Sequence, residues 1–142
     1  MYEKMKETIA SFEETIKSDK LKRLFDNCFY NTLDTTIEYL DDGSVYMLTG
    51  DIPAMWLRDS SASVLQYIEF AKEDEDVFNL IKGLIKRQFF YISIDPYANS
   101  FNRDPNGHGH TQDEGERTPY GINHDCGAHR YEHDTEQAYL PE

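Results

Sequence analysis

From Val77 to Ile92 the apolar residues Val77, Leu80, Ile81, Leu84, Ile85, Phe89 and Ile92 recur at helical steps, with Gln88 set in the same row. That period lines one face of an α-helix; a strand would alternate every second residue. It predicts a helix over about 76–93, ended by Asp95-Pro96 because the residue before a proline is pushed out of helical geometry. The same period occurs upstream. Met5, Ile9, Phe12 and Ile16 predict an amphipathic helix within residues 1–18, and Leu21, Leu24, Phe25, Cys28 and Phe29 predict a second one, from Ser18-Asp19 to near Asn31. Cys28, among large apolar neighbours, is expected as a buried core thiol. Asp59-Ser60-Ser61 reads as an N-cap, followed by a helix over about 59–72 with Val64, Leu65 and Ile68 on its apolar face. The charge run Glu73-Asp74-Glu75-Asp76 then reads as a solvated turn and acidic cap, giving an αα-hairpin with the helix that follows.

Two β-rich runs, Thr35–Leu40 and Ser44–Leu48, flank Asp41-Asp42-Gly43, a strong hairpin signal. Residues 95–127 carry no period, only many Gly, Pro, Asn, Asp and His, and a loop that long in a compact domain is functional or disordered. A last helix is expected near Ala128, carrying Tyr131, Ala138, Tyr139 and Leu140. The fold class is therefore mainly α with a small β-hairpin, in one domain over 1–142 and without internal repeats. Five helices could close a small bundle, but the long loop and abrupt end look like the front of a larger helical domain.

The chain's 142 residues allow a real core, and 39 % hydrophobic with 29 % charged residues describes a globular protein. A net charge of −13 argues against nucleic acid or an anionic membrane surface as partner. A neutral ligand fits better, and ten Tyr and eight Phe suit amphipathic pockets. Cys28 and Cys126 are two isolated thiols, and nothing in their placement indicates a disulfide framework. No stretch has the pattern of a secretory signal or the length of a membrane span, so the expected address is the cytoplasm.

The stretch Thr49-Gly50-Asp51-Ile52-Pro53-Ala54-Met55-Trp56-Leu57-Arg58-Asp59-Ser60 holds the sole Trp of the chain and reads as a loop opened by Gly50 and Pro53. Trp stacks on the apolar face of a sugar or a nucleobase, Arg presents a planar fork of donors, and Asp accepts hydroxyl protons. The mixture suits a polyhydroxylated neutral ligand. The plainer alternative is a buried Trp beside a structural Arg58–Asp59 or Arg58–Asp51 ion pair. Within 95–127, Tyr97, Asn99, Phe101 and Asn102 look like further ligand surface.

All five histidines, His108, His110, His124, His129 and His133, lie in the last third of the chain. His108-x-His110 and His129-x3-His133 are spacings that metal sites use, with Asp113, Asp125, Cys126 and Asp134 nearby. The alternative is exposed polar residues or sugar hydrogen-bonders. Glu132 and Asp134 stand two residues apart and so do not share a helix face. One of them in an aromatic pocket would have its pKa raised by desolvation, as a general acid requires; an ordinary solvated turn is the other reading.

Taken together, Thr49–Ser60, Ile85-Lys-Arg-Gln-Phe89 and Ile94-Asp-Pro-Tyr-Ala-Asn-Ser-Phe-Asn102 resemble glycoside hydrolase family 125, the metal-independent exo-α-1,6-mannosidases. The resemblance runs from about Phe25 to Pro105 and more weakly to Pro141. It implies the N-terminal part of an (α/α)6 barrel, and hydrolysis of terminal α-1,6-linked mannose with inversion. Inversion uses two carboxyls roughly 6.5–9.5 Å apart, one protonating the leaving oxygen and one activating water. Arg130-Tyr-Glu-His-Asp-Thr135 aligns with the second half of the family's general-acid motif, which makes Asp134 the implied acid. Asp51, Trp56, Arg58 and Asp59 would line the mannose pocket, with Asn99 and Asn102 as further candidates. No cofactor or metal is implied, and this lowers the weight of the histidine reading. The family's general base is a Glu far downstream, to which no residue here corresponds. The expectation is a truncated chain, inactive alone, that binds an α-mannoside and is open to self-association through an uncovered apolar face formed by Leu21–Phe29 and Val77–Phe89. A non-catalytic sugar-binding or vestigial fragment is the alternative, and a histidine-rich metal-binding helical module a more distant one.

Overall fold

The computed structural model describes residues 1–50, 53–96 and 98–105. The described elements are α1 (Glu3–Glu13), α2 (Asp19–Thr35), β1 (Ile37–Tyr39), β2 (Val45–Met47), β3 (Met55–Trp56), α3 (Leu57–Ala62), a 3-10 helix (Leu65–Lys72), α4 (Glu75–Ile94) and β4 (Ser100–Phe101). Among the described residues, no helix is long and apolar enough to cross a membrane. The expected last helix near Ala128 lies outside the described residues. The chain divides into two compact units: Met1–Met47 with Ser61–Arg87, and Leu48–Ser60 with Gln88–Glu142.

The first unit is held by helix ends as much as by apolar packing. Ser18 caps α2, its hydroxyl accepting from Leu21 N at 3.4 Å. Asp74, expected in a solvated turn, is only 5 % exposed. Its Oδ1 accepts from Asp76 N and Val77 N at the start of α4, while Oδ2 accepts from Met5 N in the first turn of α1 at 3.0 Å. One carboxylate thus satisfies orphan N–H groups of two helices. Burial pushes this carboxyl up, but backbone donors at Met5, Val77, Asp76 and Lys4 outweigh it and hold the pKa below the usual value. Asp76 Oδ2 accepts from Tyr2 N at 2.7 Å, and the Tyr2 and Tyr39 hydroxyls share a hydrogen bond of the same length. Tyr2 needs such anchors, because its φ of 63° is a left-handed conformation that L side chains disfavour.

The expected hairpin is present, pairing Ile37 with Met47 and Tyr39 with Val45. Asp42 Oδ1 accepts from Ser44 N and Oγ, and Gly43 takes φ 74° at the turn. Above β2 lies Gly83, where an added Cβ would stand 2.6 Å from Val45 Cγ2. The glycine therefore sets how closely α4 approaches the hairpin.

The helix expected over 59–72 is broken. Ser60 Oγ donates to Leu57 O at 3.1 Å, competing for a helical acceptor, and the chain resumes as a 3-10 helix. Side chains three apart eclipse in that geometry, so Val64 and Tyr67 are buried and Phe70 half-buried, whereas Leu65 and Ile68 are exposed. Tyr67 is completely buried and its hydroxyl donates to Phe29 O.

The α4 stripe is partly rotated from expectation. Val77, Leu80, Leu84, Arg87 and Tyr91 are buried, and Ile85, Phe89 and Ile92 are exposed. Cys28, read as a core thiol, is exposed, as are Leu21 and Leu24 on the same helix and Phe12 on α1. Both stripes are therefore partly uncovered, as expected.

Candidate functional site

The Thr49–Ser60 stretch is more ordered in its second half than a loop. Gly50 turns the chain at φ 103°. Thr49 then clasps the turn from both of its polar groups. Its N and Oγ1 donate to Ala54 O at 3.2 and 3.3 Å, and Oγ1 accepts from Trp56 N at 2.9 Å. Met55-Trp56, expected as loop, is a short strand pairing antiparallel with Ser100-Phe101, which falls in the stretch read as aperiodic. Two residues are too short to show a period in sequence; the partner strand lies more than forty residues downstream.

The pairing sets Trp56 opposite Ser100 and Met55 opposite Phe101. Paired residues share a face and successive residues alternate. Met55 and Phe101 are fully buried, and Phe101 stacks on Tyr91 at 4.5 Å with the rings 2° from parallel. Trp56 therefore belongs to the opposite face, where it is half-buried. Just after it, Leu57 N donates to Asn99 O at 2.9 Å. The two stretches singled out in the sequence are thus joined by strand pairing and a flanking hydrogen bond.

Arg58 and Asp59 lie in the first turn of α3, so Asp59 is a helical residue and not the cap. A carboxylate there is favoured by the helix dipole. The Arg58 Nη2 to Asp59 Oδ1 distance is 3.5 Å, with side chains 88 % and 45 % exposed. This is the plain ion pair of the alternative reading, but a solvent-screened one that leaves both groups accessible. Asn99 is half-buried; Asn102 is buried, and its carbonyl accepts from Tyr91 Oη at 2.8 Å. Asp51 and Tyr97 lie outside the described residues, as do Asp134, Glu132, Asp113, Asp125, Cys126 and all five histidines.

Three supporting residues are not among the site candidates of the sequence, although Thr49 and Gln88 lie in stretches it singles out. Thr49 gave no signal beyond its place before Gly50. Gln88 did signal, as a polar residue set in an apolar row: its Nε2 donates to Ser60 Oγ at 2.8 Å and to Leu57 O at 3.2 Å. Tyr91 follows three residues on. A groove of about 700 Å³ lies elsewhere, in the first unit, lined by Lys6, Asp26, Tyr30, Asp34 and neighbours, and contains none of the motif residues.

A solved structure from Streptococcus pneumoniae, of a metal-independent α-mannosidase in non-productive complex with α-1,6-mannobiose, matches with a TM-score of 0.60 and 52 % identity, covering 63 % of this chain and 21 % of that one. It is an (α/α)6 barrel, and the helices and hairpin described above are similar to part of it. The meiotically up-regulated gene 157 protein of Schizosaccharomyces pombe is 41 % identical over 101 residues, 68 % of this chain and 20 % of that protein. The chain thus spans about a fifth of the length of these relatives. The family model for metal-independent α-mannosidases matches residues 18–140, and on that match the chain belongs to glycoside hydrolase family 125.

Proposed function

We propose that this chain supplies part of the mannose-binding wall of an inverting exo-α-1,6-mannosidase. The observation that carries the reading is the pairing of Met55-Trp56 with Ser100-Phe101, which brings an indole, a guanidinium, a carboxylate and two Asn residues onto neighbouring backbone segments. An apolar ring face with a few convergent polar groups is what a pyranose requires. The α-1,6-mannobiose bound by the streptococcal relative names the ligand to try first.

In this reading Trp56 stacks on the sugar, Arg58 donates to its hydroxyls, and Asp51 and Asp59 accept from them. Asn99 and Asn102 offer both donors and acceptors. Asp134 acts as general acid on the leaving oxygen, and a carboxylate outside the present sequence deprotonates the attacking water. The chain alone is accordingly a binder and not a catalyst. Titration of the 142-residue chain with α-1,6-mannobiose, followed by NMR, tests the reading. Millimolar binding, lost in Trp56→Ala and Arg58→Ala, is expected. Absence of any response in the unaltered chain would remove the proposal, and release of mannose above the enzyme-free control would overturn its non-catalytic part.

A further inference from the structure

We propose that Gln88 and Tyr91 are positioning residues for the candidate sugar site, each fixing one of its two halves; the inference rests on the sugar-binding reading above. The pair stands three residues apart on α4, a spacing that makes helix side chains neighbours. Each sends its polar end to a different segment of the site. Gln88 Nε2 donates to Ser60 Oγ and Leu57 O, and Ser60 Oγ donates in turn to the same Leu57 carbonyl at 3.1 Å. Ser60 is fully buried while Leu57 and Gln88 are half-buried, so this three-part network is partly screened from water. It grips the residues immediately before and after Arg58-Asp59. Tyr91 stacks its ring on Phe101 and donates its hydroxyl to the Asn102 carbonyl, gripping the segment that carries the two Asn candidates.

The grip closes on itself. Leu57, held through its carbonyl by Gln88, donates its N–H to Asn99 O, and Trp56 pairs with Ser100. The path from Gln88 through Leu57, Asn99 and Phe101 to Tyr91 returns to the same helix. Two strands of two residues each are too short to hold their own register. The helix supplies that register through two side chains. A polar amide in an apolar helix row costs desolvation unless its partners are placed, which is why a Gln at this point reads as a bracket for the strand-to-helix corner.

The test uses the full chain with isotope labelling, comparing Gln88→Met and Tyr91→Phe with the unaltered protein. Gln88→Met keeps length and removes the donors; Tyr91→Phe keeps the stacked ring and removes the hydroxyl. Gln88→Met is expected to shift the amide signals of Leu57, Arg58 and Asp59 and to weaken α-1,6-mannobiose binding about tenfold. Tyr91→Phe should shift Asn102 and Arg103 instead, with a loss of about threefold. The hairpin amides Val45–Met47 should stay in place in both. Ser60→Ala removes the same network from its acceptor side and should reproduce the Gln88→Met pattern, should that variant fail to fold. Unchanged site amides in both variants would overturn the proposal. So would a uniform loss of site and hairpin signals together, because that is a general packing role. If the unaltered chain binds no mannobiose, the sugar reading falls, while the two separate shift patterns still decide whether Gln88 and Tyr91 set the geometry.

Discussion

Asp74 and Asp59 are both acids at the start of a helix, and their surroundings are the reverse of what their sequence neighbours suggest. Asp74, in a charge run that reads as a solvated turn, is buried and accepts from the starts of α1 and α4. Asp59, which reads as a cap in the sequence, sits within the first turn of α3, nearly half exposed, 3.5 Å from Arg58. The difference teaches where a carboxylate's lone pairs go. When backbone N–H groups fill them, the residue is spent on the fold. When they face water in a motif of aromatic and cationic residues, they are available to a ligand.

The largest expected effect breaks the structural side. Asp74→Ala strips acceptors from N–H groups at Met5 and Val77, and should destabilise the first unit by about 2–4 kcal/mol, read as a lower urea midpoint. Asp59→Ala should leave that midpoint within error. Equal losses in the two variants would erase the distinction.

Acid sharpens the same comparison. The folded pKa of Asp74 lies below the ordinary 3.8, so the carboxylate favours folding above the unfolded pKa, and that contribution is lost as pH falls through the folded value. Stability should therefore decline below about pH 4, a limb that Asp74→Asn should flatten. Asp42 is shifted the same way by Ser44, but it is exposed and its share is screened. An acid limb of unchanged size in Asp74→Asn would assign it to other carboxyls.

Gly83→Ala comes next and sets two effects against each other. Alanine in a helix interior is worth about 1 kcal/mol over glycine. The contact of 2.6 Å with a buried β-branched Val45 side chain, backed by Gly43 O at 3.3 Å, opposes it. Overpacking of this kind costs about 1–3 kcal/mol, so the net should be a modest destabilisation. Val45→Ala in the same chain should bring Gly83→Ala back to neutral or better, measurable as a double-mutant cycle.

Periodicity gives the types of α1, α2, α4 and the hairpin because these elements are local. Ser18 as cap, Asp42-Gly43 as turn and Asp95-Pro96 as stop were all legible. What periodicity could not give was rotation. It set Ile85 and Phe89 inside and omitted Tyr91, since a row of apolar residues two columns wide does not say which column meets a neighbour. Cys28 failed for the same reason: it belongs to an apolar row that stays exposed. The break at Ser60 and the β3–β4 pairing depend on a serine hydroxyl and on a partner far along the chain, and neither leaves a local pattern. The site proposal rests on residue types instead, because Trp, Arg and Asp within a short stretch state a chemistry whatever the backbone does.

The smallest expected effect on stability is the most informative about function. Arg58→Ala removes a guanidinium that is 88 % exposed and touches Asp59 only at 3.5 Å. Exposed ion pairs contribute little to folding, so the melting temperature should not move. If Arg58 were kept for the ion pair, Arg58→Lys, which preserves the charge, would behave like the unaltered chain in every assay. If it is kept for a sugar, its planar fork matters, and Arg58→Lys should lose mannobiose binding almost as fully as Arg58→Ala. Asp74 would show the reverse signature: loss of fold first, and loss of binding only as its consequence. A lysine that binds as well as the arginine would return Arg58 and Asp59 to the same structural class as Asp74.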